Sequence, residues 1–147
     1  MGKQDWETPD YLFELLDQRW GFTIDGAAES HNTKCERYID PETNAFQTEL
    51  SGERVFCNPP YADMMPWVER FISWSKDNVV VALVQDKTDT VWFKTLWENS
   101  VTVWFLHGRI QFKGTQTGNM HGACVFVLDS RLPGPPTVKI WDWKVEL

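Results

Sequence analysis

Apolar residues recur at helical spacing over positions 10–20, where Leu12, Phe13, Leu15, Leu16 and Trp20 share one side. Thr8-Pro9-Asp10 ahead of them and Gly21 behind supply a start and a stop, so the pattern predicts an N-capped amphipathic helix with proline in its first turn. Phe22-Thr23-Ile24 follows as a short strand running into Asp25-Gly26-Ala27-Ala28-Glu29, small residues that let a backbone come close to a ligand. Positions 30–52 are polar and weakly patterned, with a brief strand expected over 35–39, ending at Asp40. Arg54 to Cys57 forms the next strand, and Pro66 opens a second helix carrying Trp67, Val68, Phe71, Ile72 and Trp74. Positions 79–84 are continuously apolar, as in a central strand covered on both faces. Thr88-Asp89-Thr90 caps a third helix with Trp92, Phe93, Leu96 and Trp97 on its buried side. Strands are expected over 101–106 and 123–128. Between them come a turn at Gly108-Arg109, a pairing segment at Ile110-Gln111-Phe112 and a flexible loop over 114–122. A Pro133-Gly134-Pro135-Pro136 turn precedes the alternating Val138, Ile140 and Trp141.

Helices alternating with strands imply an α/β domain with a mainly parallel sheet, an antiparallel edge hairpin and helices on both faces, a minimal Rossmann-like arrangement. At 147 residues, positions 1–147 are expected to form a single domain. In such sheets ligands bind beyond the carboxyl ends of the strands, and Asp25 and Asn58 both stand at such ends.

Asn58-Pro59-Pro60-Tyr61 directly follows the strand Val55-Phe56-Cys57. The exocyclic amine of adenine is a poor nucleophile because its lone pair is delocalised into the ring. The side-chain oxygen of Asn58 and the backbone carbonyl of Pro59 could each accept one of its hydrogens and return density to the nitrogen. Pro59 and Pro60 fix φ and hold Asn58 extended, while Tyr61 can stack on an extruded base. This chemistry makes the chain a candidate adenine methyltransferase. As an isolated match, the same four residues would be a strand end and a half-buried aromatic.

Composition narrows the alternatives. A formal charge of −7 argues against holding DNA by broad phosphate neutralisation, so any nucleic-acid contact is expected to be local. Cys35, Cys57 and Cys124 are widely spaced and odd in number, which indicates free thiols rather than a disulfide framework or zinc ribbon. His31, His107 and His121 are as scattered, and no metal site is expected. No apolar run reaches the ~20 residues of a membrane span and the first residues lack a signal-peptide pattern, so a soluble, cytoplasmic protein is expected. Of nine tryptophans, Trp67, Trp92 and Trp104 are expected in the core.

With these residues assembled, the chain resembles the small phage and prophage DNA N6-adenine methyltransferases that use S-adenosylmethionine. The resemblance runs through Trp6-Glu7-Thr8-Pro9, Gly21 to Asp25 with Ala27-Ala28, and Asn32 through Lys34-Cys35 to Arg37-Tyr38. It continues in Val55 to Tyr61, Trp67-Val68, Lys87 to Thr90 with Trp92-Phe93, and Gly108-Arg109-Ile110 with Phe112. It implies a methyltransferase domain in which Thr8 and Pro9 lie near the methionine end of the cofactor, Asp25 holds its amino group and Ala27 lines its pocket. Asn58 would face both cofactor and base, and Asn58 to Tyr61 would receive the adenine. Asp40 is the candidate for the ribose hydroxyls, with Glu29 and Glu42 as rivals. The chain departs from the family's pattern at Asn44-Ala45-Phe46, where relatives carry an aspartate before a small residue and a leucine. A second departure is Gln85-Asp86-Lys87-Thr88, which replaces Pro-x-Arg-Thr, and there is no GxGxxG.

The resulting expectation is methyl transfer from S-adenosylmethionine to N6 of a flipped adenine in DNA, with no covalent enzyme intermediate and a shallow pH profile near neutrality. The loops over 31–37 and 114–122, with Lys34, Arg37, Arg109 and Lys113, are the expected DNA-facing elements. So little basic surface predicts relaxed sequence specificity or a homodimer that widens the DNA-binding face. Protection of phage DNA from host restriction follows from the resemblance. The rivals are methylation of RNA adenine or of protein glutamine, and a cofactor- or DNA-binding module without catalysis.

Overall fold

A computed structural model describes residues 7–113 and 122–147. Six strands form one sheet: β1 (Ile24–Asp25), β2 (Arg54–Cys57), β3 (Val79–Gln85), β4 (Thr102–Leu106), β5 (Ala123–Leu128) and β6 (Thr137–Trp141), in the order β1-β2-β3-β5-β4-β6. β1, β2 and β3 pair in parallel, β5 runs antiparallel to both β3 and β4, and β6 is parallel to β4. The mainly parallel sheet is therefore as expected, but its antiparallel strand lies inside the sheet and not at the edge. The reason is burial: every residue of β5 is buried, so that strand needs neighbours on both sides. β6, exposed except at Trp141, takes the edge instead.

Strand alternation sorts the core onto two faces. Val80, Ala82 and Val84 join Val55, Cys57, Cys124 and Phe126 beneath α2 (Met65–Trp74) and α3 (Val91–Glu98). Val81 and Leu83 join Phe56, Val125 and Trp141 beneath α1 (Asp10–Trp20) and the short turn Trp143–Glu146. Helices thus cover both faces. α3 is capped by Thr90, whose side chain accepts from the Phe93 N–H at 3.2 Å. α1 ends as expected on Gly21 at φ 60°, with the Gly21 N–H on the Asp17 carbonyl at 2.8 Å. Its start differs from expectation: Pro9 is the capping residue and the Thr8 side chain makes no cap. Thr8 is occupied elsewhere. Trp67, Trp92 and Trp104 are half-buried at the margins of the core, whereas Trp74, Trp141 and Trp143 are inside it.

The strand expected over 35–39 is reduced to a single parallel bridge between Tyr38 and Asp25 on the outer edge of β1. The chain therefore leaves β1, touches its outer edge, then crosses back to lay β2 on its inner edge. This makes the gap between the ends of β1 and β2 the switch point where open α/β sheets bind ligands. Residues 110–112 lead to Lys113, which pairs with Glu7 in a two-bond antiparallel bridge of 3.0 and 2.9 Å. The loop over 114–122 lies outside the described residues, Gly122 excepted.

Gly26 follows β1 for a packing reason. A Cβ there would lie 3.2 Å from Val55, 3.3 Å from Trp74 and 3.4 Å from Cys57, all fully or almost fully buried. With strand on one side and helix on the other, Gly26→Ala is expected to cost about 1–3 kcal/mol of stability, measured by urea denaturation.

Candidate active site

Two cavities open along the carboxyl rim of the sheet, and Asn58 to Tyr61 stands between them. The first, of about 440 Å³, is bounded by Thr8, Asp25, Ala27, Asp40, Phe46, Asn58, Pro60 and Trp67 among others. The second, of about 550 Å³, is bounded by Tyr61, Met64, Gln85, Lys87 and Trp92 with their neighbours. Both sizes suit small ligands.

The register of β1 on β2 brings the polar strand ends together. Asp25 lies opposite Phe56, so Asn58 emerges two residues further on, beside it. Asp25 is 3% exposed. Its Oδ1 accepts from the Ala27 N–H at 3.2 Å and its Oδ2 from the Lys34 N–H at 3.0 Å, so the carboxylate organises the whole turn after β1. Burial pushes its carboxyl up to about 6, against the downward pull of those two N–H groups and of the Lys34 charge. Gly26 does not line the cavity; Ala27 and Ala28 do.

Asp40 and Glu29 both line the first cavity, and Glu42 does not. Asp40 Oδ1 accepts from the Thr43 N–H at 2.8 Å, and the bonds from Thr43 hold its carboxyl below the usual range. Asn44, at φ 69°, accepts from the Phe46 N–H at 3.0 Å and so turns Phe46 outward. The Phe46 ring, 44% exposed, meets Trp67 edge-on at 4.8 Å and makes an aromatic wall. The sequence pattern places Trp67 in the core and marks Phe46 only as part of a departure from the family's pattern. The available signal was a large aromatic in an otherwise polar segment, directly after a residue that tolerates positive φ.

Asn58 is anchored from two directions. Its Nδ2 donates to Thr8 Oγ1 at 3.1 Å, and its Oδ1 accepts from the Tyr61 hydroxyl at 2.6 Å. The same hydroxyl lies 3.1 Å from the Leu83 carbonyl, and the ring stands edge-on to Phe112 at 6.3 Å. Tyr61 therefore points its hydroxyl inward, onto the oxygen expected to receive the amine. Pro59 is buried, and Pro60 lies on the wall of the first cavity. Pro9 is buried behind Thr8, which is 2% exposed.

Among the expected DNA-facing groups, Lys34 and Lys113 both pair with Asp10, at 2.7 and 3.1 Å, and Arg37 pairs with Glu53. Asn32 and Lys34 line the first cavity, while Arg37 is exposed. Arg109 is exposed. Burial pushes the Cys35 and Cys124 thiols up to about 12 and Cys57 in the same direction, which keeps all three protonated. Among the described residues no group of acidic, histidine or cysteine side chains could hold a metal ion, and no helix is long and apolar enough to cross a membrane.

A sheet with this switch point, a buried carboxylate beside it and an NPPY segment closing it defines a Rossmann-like methyltransferase domain. The chain belongs to the DNA N-6-adenine-methyltransferase (Dam) family, whose model matches residues 2–132. It is 33% identical over 121 residues to the DNA N-6-adenine-methyltransferase of Haemophilus phage HP1, covering 79% of this chain and 70% of that protein. It is 25% identical over 146 residues to the protein of the same name from Escherichia phage T1, covering 84% of this chain and 61% of that relative.

Asp25 also sets a pH signature. Its pKa in the fold lies above its ordinary 3.8, so the folded state binds the proton more tightly than the unfolded chain does. The stability this contributes is present in full below pH 4 and is lost as the pH rises through about 6, by about 3 kcal/mol in total. Asp10, Glu53 and Glu146, held below their usual range by basic partners and hydrogen bonds, act in the opposite sense. A site-resolved carbon-13 carboxyl titration of the ligand-free protein is therefore the right measurement, with a midpoint expected near 6 for Asp25. An ordinary aspartate midpoint would mean that the carboxylate is solvated.

Proposed function

We propose that this protein transfers the methyl group of S-adenosylmethionine to N6 of an adenine in DNA, with the cofactor in the first cavity and the extruded base presented from the second. The observation that carries this reading is the position of Asn58, which lines the first cavity while its side-chain oxygen points at Tyr61, a wall of the second. Methyl donor and acceptor would then meet at one carboxamide.

The residues around the first cavity fit the cofactor. A buried carboxylate with a raised pKa is best relieved by a bound cation, which suits Asp25 to the amino group of S-adenosylmethionine. Asp40, with one oxygen held by Thr43, is the stronger of the two cavity carboxylates for the ribose hydroxyls, and Phe46 with Trp67 offers an edge to the adenine ring. S-adenosylmethionine supplies an electrophilic methyl group on a sulfonium sulfur, which departs as a neutral thioether. Asn58 Oδ1 and the Pro59 carbonyl accept the two N6 hydrogens, so that the nitrogen lone pair is free to form the new bond to carbon. The N6 proton then passes to solvent, and no enzyme group has to take it. Oδ1 has two lone pairs, so the amine can either share it with the Tyr61 hydroxyl or displace that hydroxyl. Displacement would free Tyr61 to lie against the face of the base.

Transfer of labelled methyl to unmethylated DNA, with the product nucleoside identified, tests the reaction. N6-methyladenine is expected from the parent and almost none from Asn58→Ala. Label in RNA or protein but not in DNA would overturn the substrate assignment.

Two further outcomes follow. Affinity for S-adenosylhomocysteine, measured by calorimetry, should weaken as the pH falls through about 6, because protonated Asp25 no longer attracts an ammonium group. This would give an otherwise shallow profile an acid limb in KM and not in kcat. Tyr61→Phe keeps the ring and should retain or raise kcat/KM, whereas Tyr61→Ala should lose roughly ten- to a hundredfold. A large loss in Tyr61→Phe would mean that the hydroxyl takes part in the reaction.

A further inference from the structure

We infer that Thr8 is a positioning residue that passes the occupancy of the first cavity to the Asn58 carboxamide, selecting the orientation in which its oxygen faces the base. The inference rests on the proposed methyl transfer.

A primary amide has two near-equivalent orientations related by a half-turn, one aiming oxygen at a given neighbour and the other aiming nitrogen. Only one is productive here, because the Asn58 nitrogen carries no acceptor for the N6 hydrogen. A hydroxyl is ambivalent: it holds one hydrogen and can also accept. In the structure Thr8 Oγ1 accepts from Asn58 Nδ2 at 3.1 Å, which leaves its own hydrogen to point elsewhere. Thr8 is 2% exposed and lines the first cavity, so the open direction for that hydrogen is the cavity. An acceptor placed there, such as the carboxylate of an amino-acid ligand, would hold the Thr8 hydrogen and commit Oγ1 to accepting. Asn58 must then offer its N–H to Thr8 and its oxygen to the base side. Without such an acceptor the hydroxyl can turn and donate to Asn58, and Thr8 no longer adds its preference to that of the Tyr61 hydroxyl, which donates to Oδ1 at 2.6 Å.

Thr8 is itself held for this task. The paired backbone of Glu7 and Lys113 fixes it on one side, Pro9 restricts its backbone and begins α1 on the other, and Asp10 ties Lys34 and Lys113 together just beyond. Thr8 and Asn58 stand fifty positions apart in sequence, yet both line the first cavity and are hydrogen-bonded to each other.

Thr8→Val keeps the size and branching of the side chain and removes the hydroxyl. At saturating S-adenosylmethionine and DNA its kcat is expected to fall about ten- to a hundredfold, the scale of a misplaced reacting group. Thr8→Ser, which keeps the hydroxyl, should restore most of the rate. The Kd for S-adenosylhomocysteine should move much less than kcat, and the melting temperature should stay close to the parent's. A purely structural role would shift all three together and overturn the inference. So would a Thr8→Val kcat within about twofold of the parent, or equal losses in the valine and serine variants. If Thr8→Val does not unfold cooperatively, Thr8→Ala against Thr8→Ser is read by the same criteria. Loss of methylation in Asn58→Ala with retention in Thr8→Val would sink the relay and leave the reaction standing. Absence of DNA methylation by the parent would instead sink the reaction.

Discussion

Everything at the candidate site depends on the parallel pairing of β1 with β2, which is only two residues long. So short a strand has little ladder of its own, and its position is fixed by what surrounds it. The Asp25 backbone binds Arg37 and Ile39 on the outer side, the Gly26 N–H binds the Phe56 carbonyl on the inner side at 2.8 Å, and Gly26 packs against Val55 and Trp74 without room for a methyl group. The Asp25 carboxylate then gathers the turn that follows by accepting the Ala27 and Lys34 N–H groups. One side chain thus folds the loop and lines the cavity. The cost of burying its charge is visible in its raised pKa, and a cationic ligand is the natural relief for that cost. Under the proposed reading, cofactor binding and completion of the fold would be two aspects of one interaction.

The second consequence of that pairing is a division of labour along the rim. Because Asn58 leaves β2 beside Asp25 and the two prolines restrict the next turn, the segment cannot swing between the cavities; it separates them. The enzyme proposed here needs no tuned acid or base at the reacting atoms. What it needs is two acceptors held still, and the rigidity of Pro59 and Pro60 with the Thr8 and Tyr61 contacts supplies that. Burial pushes the Tyr61 phenol well up beside Asn58 and so keeps it protonated, as it does the thiols, while the raised Asp25 and the lowered Asp40 line the first cavity.

Legibility in the sequence followed the range of the interactions. The helices over 10–20 and 91–98, the central run of β3 and the NPPY segment are written in neighbouring residues, and the sequence reading located them. The late strands read as an antiparallel edge hairpin because the two partners of β5 are set by tertiary packing, although the unbroken apolar run of β5 argues for burial on both faces. Thr8 was read as a helix cap because Thr-Pro-Asp is a strong local signal. Its hydrogen bond to Asn58 spans fifty positions and leaves no local trace. Asp25 and Asp40 were legible as polar residues at expected strand ends, whereas the Phe46 wall depends on the positive φ of Asn44 and its hydrogen bond to Phe46. Lys34 was read by charge alone, and a paired lysine on a cavity wall carries the same letter as a free one.

Charge pairing bears most on how the protein would meet DNA. With a net charge of −7, its cations would have to be grouped and free to attract phosphates strongly. Lys34, Arg37 and Lys113 on the site side, and Arg19, Lys94 and Arg131 elsewhere, are paired with carboxylates of the same chain, while Lys87 lines the second cavity and Arg109 is exposed. Two of these pairs meet at Asp10 and brace the segment that carries Thr8, so freeing them for phosphate would loosen the support of Asn58. Lys34 and Lys113 therefore help to hold the site together. Under the proposed reading, recognition would rest on what the rim can grip directly: a base removed from its stack, stacked on an aromatic ring and read by two fixed acceptors. Such capture would discriminate adenine through its amino group while reading little of the flanking sequence. The acidic surface and the rigid NPPY segment are in this respect parts of the same design.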